Sequence, residues 1–306
     1  MKHFRFMLGL ILIAALGLTA CDAIAPAPSA TPAPAATMPA AAPTVVPSAE
    51  VLPSPTAEPP AAPTAAPVAG TAVSYGRLSL VVPTGVATGG TGATVPAVSG
   101  DNVAPWDIAP EKLQLKLDGY ALQGKLHEPQ IYVYPAEAYA QTRDAAAMSL
   151  ERLRAVLAQG SGAAVTNEQL PFVPFFNATQ IIASNVKVVP FANGQGVRAL
   201  TQYAQGLVPV NNHELIYHFE GLTSDGKYYV IAILPVNAPV LAETAGLDEA
   251  VPAGGAPLPD LNSANPDMKG YFAKVQQALG GLQPGDFTPN LDQLDALIGS
   301  LSVAAN

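Results

Sequence analysis

The sequence has few charged residues and a single cysteine. Charged side chains make up 12% of its 306 residues, whereas soluble proteins average about 25%. Lys and Arg number 14 against 23 Asp and Glu, so the formal net charge is −9. Because nucleic-acid binding needs clustered Lys and Arg, the composition argues against a nucleic-acid partner. With Cys21 as its one cysteine, the chain cannot build an internal disulfide framework or a thiolate metal site.

Residues 22–70 lack aromatic and basic side chains. They hold 13 prolines and three acidic residues among many alanines. Proline removes a backbone donor and fixes φ, so helix is interrupted every few residues. Without aromatics, the segment cannot bury enough apolar surface to offset its ordering entropy. We therefore expect a disordered Pro/Ala-rich linker over residues 21–71 that serves as a stalk. A proline-rich ligand for a recognition module is the alternative, but such motifs usually carry a flanking basic residue and this segment has none.

The N-terminus has the pattern of a secretory signal. Lys2 and Arg5 precede Phe6–Leu18, a run of 13 residues without charge. A membrane-spanning helix needs about 20 apolar residues, so this run is too short to span. The pattern predicts a signal peptide over residues 1–20.

The residues that end this signal, Leu18-Thr19-Ala20-Cys21, resemble the lipobox of bacterial lipoproteins. The resemblance implies that the Cys21 thiol carries a diacylglyceryl group and that a signal peptidase cuts before it. It also implies that the new amino group is often acylated, and two or more acyl chains anchor a protein stably. We therefore expect lipidation of Cys21 and a lipid-anchored protein on the extracytoplasmic face of a bacterial cell membrane. An ordinary cleaved signal and a short uncleaved anchor are the alternatives.

Residues 72–306 have the length and pattern of a single globular α+β domain. Alternating or continuous apolar patterns predict an antiparallel sheet, with strands at 75–82, 113–117, 121–126, 130–134, 185–189, 197–203, 214–222 and 227–234. The last of these is almost wholly apolar, so we expect it to be central and covered on both faces. Helices are predicted over 136–158 and, as a short one, near 240–250. Asn265-Pro266 is typical of an N-cap followed by Pro at the first helical position, and Thr288-Pro289 repeats this signal, so two more helices should start there. The Gly-rich stretch 88–94 is predicted to be a mobile loop or hairpin. An antiparallel sheet packed with helices in this order is an α+β sandwich.

The order of these elements resembles PsbP-like domains. The opening segment YGRLSLVVP, the hairpin over 214–234 and the closing segment over 287–303 carry the resemblance. It implies an α+β fold, and the better-known members of that family are non-catalytic accessory or binding proteins. Because one fold hosts unrelated functions, the resemblance assigns no specific role.

A search for catalytic motifs predicts no catalytic, cofactor-binding or metal-binding residue. His213 and His218 are five residues apart in a predicted strand, whereas a zinc protease needs His at i and i+4 on a helix. The glycines of Gly89–Thr94 lack the lysine of a phosphate loop. Gly160-Ser161-Gly162 follows a helix and lacks the spacing of a nucleophile elbow.

The remaining polar candidates are carboxylates. Glu214 and Glu220 should share a strand face with His218, and we expect that face to be solvated. A site there would need burial and a cleft. Asp292 and Asp295 fall in or near the first turn of the last helix, where the helix dipole favours negative charge.

The aromatic residues leave two interpretations open. Trp106, the pair Tyr132 and Tyr134, and the cluster of Phe172, Phe175 and Phe176 are either core and lid residues or an exposed platform for a partner. Taken together, the sequence predicts a membrane-anchored lipoprotein that is not an enzyme and needs no cofactor. Its domain would bind a ligand, an envelope protein or a polymer. A cell-envelope hydrolase using carboxylates that sequence cannot identify is the alternative, and a structural spacer with a folded tip is a third.

Overall fold

The structure is a computed structural model that describes residues 69–160 and 165–305. The predicted signal peptide, Cys21 and almost all of the predicted linker lie outside the described residues. Within that part of the chain, antiparallel sheets and four helices make an α+β fold.

A small sheet comes first along the chain. Its strands are β1 Gly70–Tyr75, β2 Leu78–Pro83 and the short β10 Ser302–Val303, in the order β1-β2-β10. The strand predicted over 75–82 is confirmed for Leu78–Val82, but it begins later than predicted because the chain turns back between Tyr75 and Leu78. Gly76 makes this turn with φ +57°, a conformation that glycine adopts at little cost.

Seven antiparallel strands form the large sheet, in the order β3-β4-β5-β9-β8-β7-β6. They are β3 Gly89–Val95, β4 Lys112–Asp118, β5 Gln130–Pro135, β6 Thr179–Phe191, β7 Gly194–Ala204, β8 Ile216–Thr223 and β9 Tyr228–Pro235. Every residue of β9 is buried, so its predicted central position is confirmed.

The Gly-rich stretch that was predicted to be a mobile loop is instead the edge strand β3. It pairs with β4 along seven residues. A Cβ on Gly92 would lie 2.1 Å from the ring of Tyr75, so only glycine lets β1 approach this closely. The strand predicted over 121–126 was also wrong, because that segment is irregular.

Two pairs of helices are described: α1 Ala136–Ala140 with α2 Asp144–Ala158, and α3 Met268–Gly280 with α4 Leu291–Gly299. The single helix predicted over 136–158 is broken at residues 141–143. The helix starts were also misplaced. Asp267 caps α3 by accepting from the Gly270 N–H, and Asn290 caps α4 by accepting from the Asp292 N–H.

The large sheet separates two hydrophobic cores. On one face, α1 and α2 pack on the alternating side chains that include Tyr229, Ile231 and Ile233 of β9. On the other face, α3, α4 and β2 pack on Tyr228, Val230, Ala232 and Leu234 of the same strand. The irregular segment of residues 236–262, here called the strap, joins β9 to α3 and covers part of the second core. The strap contains no helix, so the short helix predicted near 240–250 is absent.

Candidate functional site

The predicted lipidation site, Cys21, lies outside the described residues and stays a prediction. Among those residues, no helix is both long enough and apolar enough to cross a bilayer. Nor does the part of the chain that the structure describes bring three His, Cys, Asp or Glu side chains together as a metal site.

His218 and Glu220 form a buried polar pair, contrary to the solvated face predicted for them. They are 5% and 2% exposed and project from β8 toward the α2 side of the sheet. Helix α2 and the segment of residues 170–176, here called the lid segment, cover them. Their nearest atoms, His218 Nε2 and Glu220 Oε1, are 3.8 Å apart.

The pair holds both backbone groups of one lid residue, Val173. The Val173 N–H donates to Glu220 Oε1 at 3.2 Å, and His218 Nε2 donates to the Val173 carbonyl at 2.9 Å. Because a carbonyl can only accept, Nε2 carries the imidazole hydrogen. Nδ1 is then free to accept from the Tyr203 hydroxyl at 3.4 Å.

A second chain of hydrogen bonds leaves the carboxyl group through Tyr229. The Tyr229 hydroxyl is hydrogen-bonded to Glu220 Oε2, donating to the ionised carboxylate and accepting the proton of the neutral acid, and it lies 3.3 Å from Ser149 Oγ on α2. The lid residue Phe172 donates its N–H to the same Ser149 oxygen at 2.9 Å. Sheet, helix and lid segment are therefore joined through this one network.

Burial makes both members of the pair neutral near pH 7. It raises the pKa of Glu220 to about 8, although the donors Tyr229 and Val173 pull that pKa down. Burial also lowers the pKa of His218 to about 4, against the hydrogen bond to Val173 that raises it. A neutral acid and a neutral imidazole make no ion pair, so the contact at 3.8 Å is between uncharged groups.

Access to the pair is restricted to a cavity of about 10 Å³, lined by Leu170, Pro171, Gln180, Val197, Ala199, His218 and Glu220. A volume of about 10–15 Å³ accommodates one water molecule. The hydrogen-bonding atoms of the pair are already engaged with the lid segment and with neighbouring tyrosines. The geometry therefore assigns this network the role of fixing the lid segment to the sheet.

Two other residues of the predicted cluster lie elsewhere. Strand β8 begins at Ile216, so Glu214 does not share the face of Glu220; it accepts from Gln202 Nε2 at 3.0 Å. His213 is half-buried, with Nδ1 3.0 Å from the carbonyl of Gly124. The predicted common face of Glu214 and Glu220 was therefore wrong.

Asp295 is largely buried and forms ion pairs, although its position in α4 predicted an interaction with the helix dipole. Its carboxylate accepts from Tyr217 at 2.9 Å, Arg198 Nε at 3.2 Å and Lys187 Nζ at 2.7 Å. The side chains of Asp295 and Arg198 are 11% and 7% exposed. Asp292, by contrast, is exposed in the first turn of α4, where the dipole argument applies.

The phenylalanine cluster belongs to the lid segment and is half-buried. The guanidinium of Arg143 lies over the ring of Phe175 at 4.1 Å, and that of Arg152 over Phe172 at 4.9 Å. This arrangement matches the interpretation as lid residues. Trp106 is 41% exposed on a short turn that precedes β4.

A cavity of about 200 Å³ opens between the strap and α3. Most of its lining is apolar, with Val240, Leu241 and Leu258 from the strap and Val275 from α3. Two further strap residues of the lining, Leu247 and Val251, are 63% and 46% exposed. Large apolar side chains thus reach from the cavity to the solvent, an arrangement typical of a ligand entrance.

Contacts between residues distant in sequence fix the path of the strap over the cavity. Asn212, which is 3% exposed, donates through Nδ2 to the carbonyls of Ala238 and Leu241 and accepts from the Ala238 N–H. Further along the strap, a Cβ on Gly255 would lie 2.4 Å from the Val240 carbonyl. Only glycine allows this close return of the strap. Sequence reasoning missed the cavity because its walls come from three separate stretches, 209–210, 240–258 and 271–275.

Three surface depressions of about 360–490 Å³ are more open to solvent, and each has charged residues in its lining. The cavity beneath the strap is therefore the best candidate for an apolar binding site among the described residues. The chain matches no protein-family model, no curated protein and no solved structure.

Proposed function

We propose that this protein is a lipid-anchored, extracytoplasmic binding protein whose domain takes up a small apolar ligand without catalysis. The observation that carries the proposal is the contrast between two sites. The ionisable pair of His218 and Glu220 is sealed and engaged in fixing the lid segment, whereas the accessible cavity is apolar. Binding sites of this type rely on apolar lining with few polar groups.

The sequence supports the anchored part of the proposal. The lipobox-like residues Leu18–Cys21 would place a lipid at the start of the Pro/Ala-rich residues 22–70. A domain held at a membrane surface by such a stalk could capture apolar molecules or present them to an envelope partner.

A direct binding measurement tests the cavity. We would titrate fluorobenzene against the full chain and follow its ¹⁹F NMR signal. The matched control is Ala256→Phe, which puts a ring into the cavity from a half-buried position in its lining. The proposal expects saturable binding to the wild type and loss of that binding in the variant. Binding that the variant leaves unchanged would contradict the proposed site.

A carboxylate-dependent hydrolase is the second candidate, and it would require the lid segment to move away from Glu220, because the cavity of about 10 Å³ beside that residue holds no more than one water molecule. A carboxyl group with a pKa of about 8 is protonated at neutral pH, as a general acid must be. This function requires a turnover activity that Glu220→Gln abolishes while the variant stays folded. An activity that survives the substitution would eliminate Glu220 as its acid.

A further inference from the structure

Tyr271 lines the apolar cavity and carries a hydroxyl group that can still donate its hydrogen. The residue is 4% exposed, and its oxygen accepts from the Val210 N–H at 2.9 Å. Val210 and Tyr271 both line the cavity. Among residues 69–160 and 165–305, no acceptor for the hydrogen of this hydroxyl is found. A ligand that accepts from this hydroxyl would gain one hydrogen bond and therefore affinity.

The charges around the cavity favour an uncharged ligand. No Lys, Arg or His lines it, and its one charged residue is Glu249. The Glu249 carboxylate is exposed and accepts from the backbone N–H of Thr244 at 3.0 Å and from the Thr244 hydroxyl. An anionic ligand would meet this negative group without any compensating cation.

The volume limits the size of the ligand. The cavity measures about 200 Å³, and an engineered apolar cavity of about 150 Å³ binds benzene. An aromatic ring or a short alkyl chain with one small polar substituent is therefore of the right size.

We propose that the cavity selects a small neutral molecule that combines an apolar ring or short chain with one acceptor oxygen, which receives the hydrogen of the Tyr271 hydroxyl. The inference rests on the proposed binding function and adds the chemical class of the ligand. It also identifies Tyr271 as the residue that determines specificity.

Three ¹⁹F NMR probes test this inference on the full chain. 4-Fluoroacetophenone has a ring and a carbonyl acceptor, fluorobenzene has only the ring, and 4-fluorobenzoate replaces the ketone with a charge. One neutral hydrogen bond corresponds to about twofold to tenfold in affinity, so the ketone should bind tighter than fluorobenzene by that factor. The benzoate should bind weaker than either neutral probe.

Tyr271→Phe separates the hydrogen bond from the shape of the cavity. In this variant the ketone should lose its advantage, while fluorobenzene should keep its affinity. The comparison of the three probes on the wild-type chain needs no substitution, so it tests the inference even if Tyr271→Phe does not fold.

The outcomes distinguish the two proposals. Equal binding of ketone and fluorobenzene to the wild type would overturn the role of Tyr271 and leave the binding function standing. A benzoate that binds as tightly as the ketone would overturn the selection for neutral ligands. Absence of binding by all three probes, or binding that Ala256→Phe leaves unchanged, would overturn both proposals at this site.

Discussion

The buried carboxyl group of Glu220 should make the protein less stable as the pH rises above neutral. Its pKa rises from 4.5 to about 8 on folding. Between these values the folded chain holds one proton that the unfolded chain has released. Stability therefore falls with increasing pH until the pH passes the pKa of the folded state. We expect Glu220→Gln to abolish this fall, because the amide is neutral at every pH.

The magnitude follows from the pH interval between the titration of the buried histidines and the folded-state pKa of Glu220. His127 and His218 both have pKa values lowered from 6.5 to about 4 by burial. These two histidines lower the free energy of unfolding only as the pH falls from 6.5 toward 4, whereas Glu220 lowers it as the pH rises. Above pH 6.5 the slope is about 1.4 kcal/mol per pH unit, which gives about 2 kcal/mol of lost stability by pH 9.

Urea denaturation at pH 6.5 and pH 9 measures this difference. The matched control is Glu151→Gln on the exposed face of α2, which removes one hydrated carboxylate and should retain the wild-type loss. Glu220→Gln should have nearly equal stability at the two pH values. A variant that loses as much stability as the wild type would refute the assignment of the alkaline loss to Glu220.

Two further predictions concern residues that pack the large sheet. Asp295→Asn should lower the free energy of unfolding by about 3–5 kcal/mol, because it leaves the buried guanidinium of Arg198 without its ion-pair partner. Asp292→Asn in the same helix should lower it by no more than about 1 kcal/mol. Urea titration checks both, and equal effects would contradict the buried ion pair. Gly196→Ala should cost about 1–3 kcal/mol, because its Cβ would lie 2.5 Å from a carbonyl of β8. Gly206→Ala, which meets no atom within 4 Å, should change the melting temperature little, and similar melting of the two variants would contradict the close packing.

Local patterns in the sequence predicted much of the framework. The apolar run of β9 indicated its central position, and the helical spacing of Leu150 and Leu153 indicated the buried face of α2, where both are buried. Patterns of this kind depend on neighbours along the chain. They therefore predicted elements more reliably than contacts between elements.

The polar core could not be predicted in the same way. In β8 the alternation of His218 and Glu220 with apolar residues is typical of a half-solvated strand. Their burial depends on Val173 and Ser149, which lie far away in sequence. Asp295 likewise satisfies the helix-dipole pattern, and its partner Arg198 is revealed only by the packing of α4 on the sheet.

The cavity beneath the strap has a similar origin. The Pro/Gly/Ala-rich composition of the strap predicted irregular structure but no cavity. The arrangement depends on Asn212, which holds the start of the strap, and on Gly255, which lets it return over Val240. No local pattern links these residues to Tyr271 on α3.

We propose that a lipid on Cys21 holds the domain at a membrane. Labelling of cells with a clickable fatty acid, comparing the wild type with Cys21→Ala, tests this anchor. We expect label on the wild-type protein and none on the variant, with the wild type in the membrane fraction. A wild-type protein without label, or label that persists in Cys21→Ala, would contradict it.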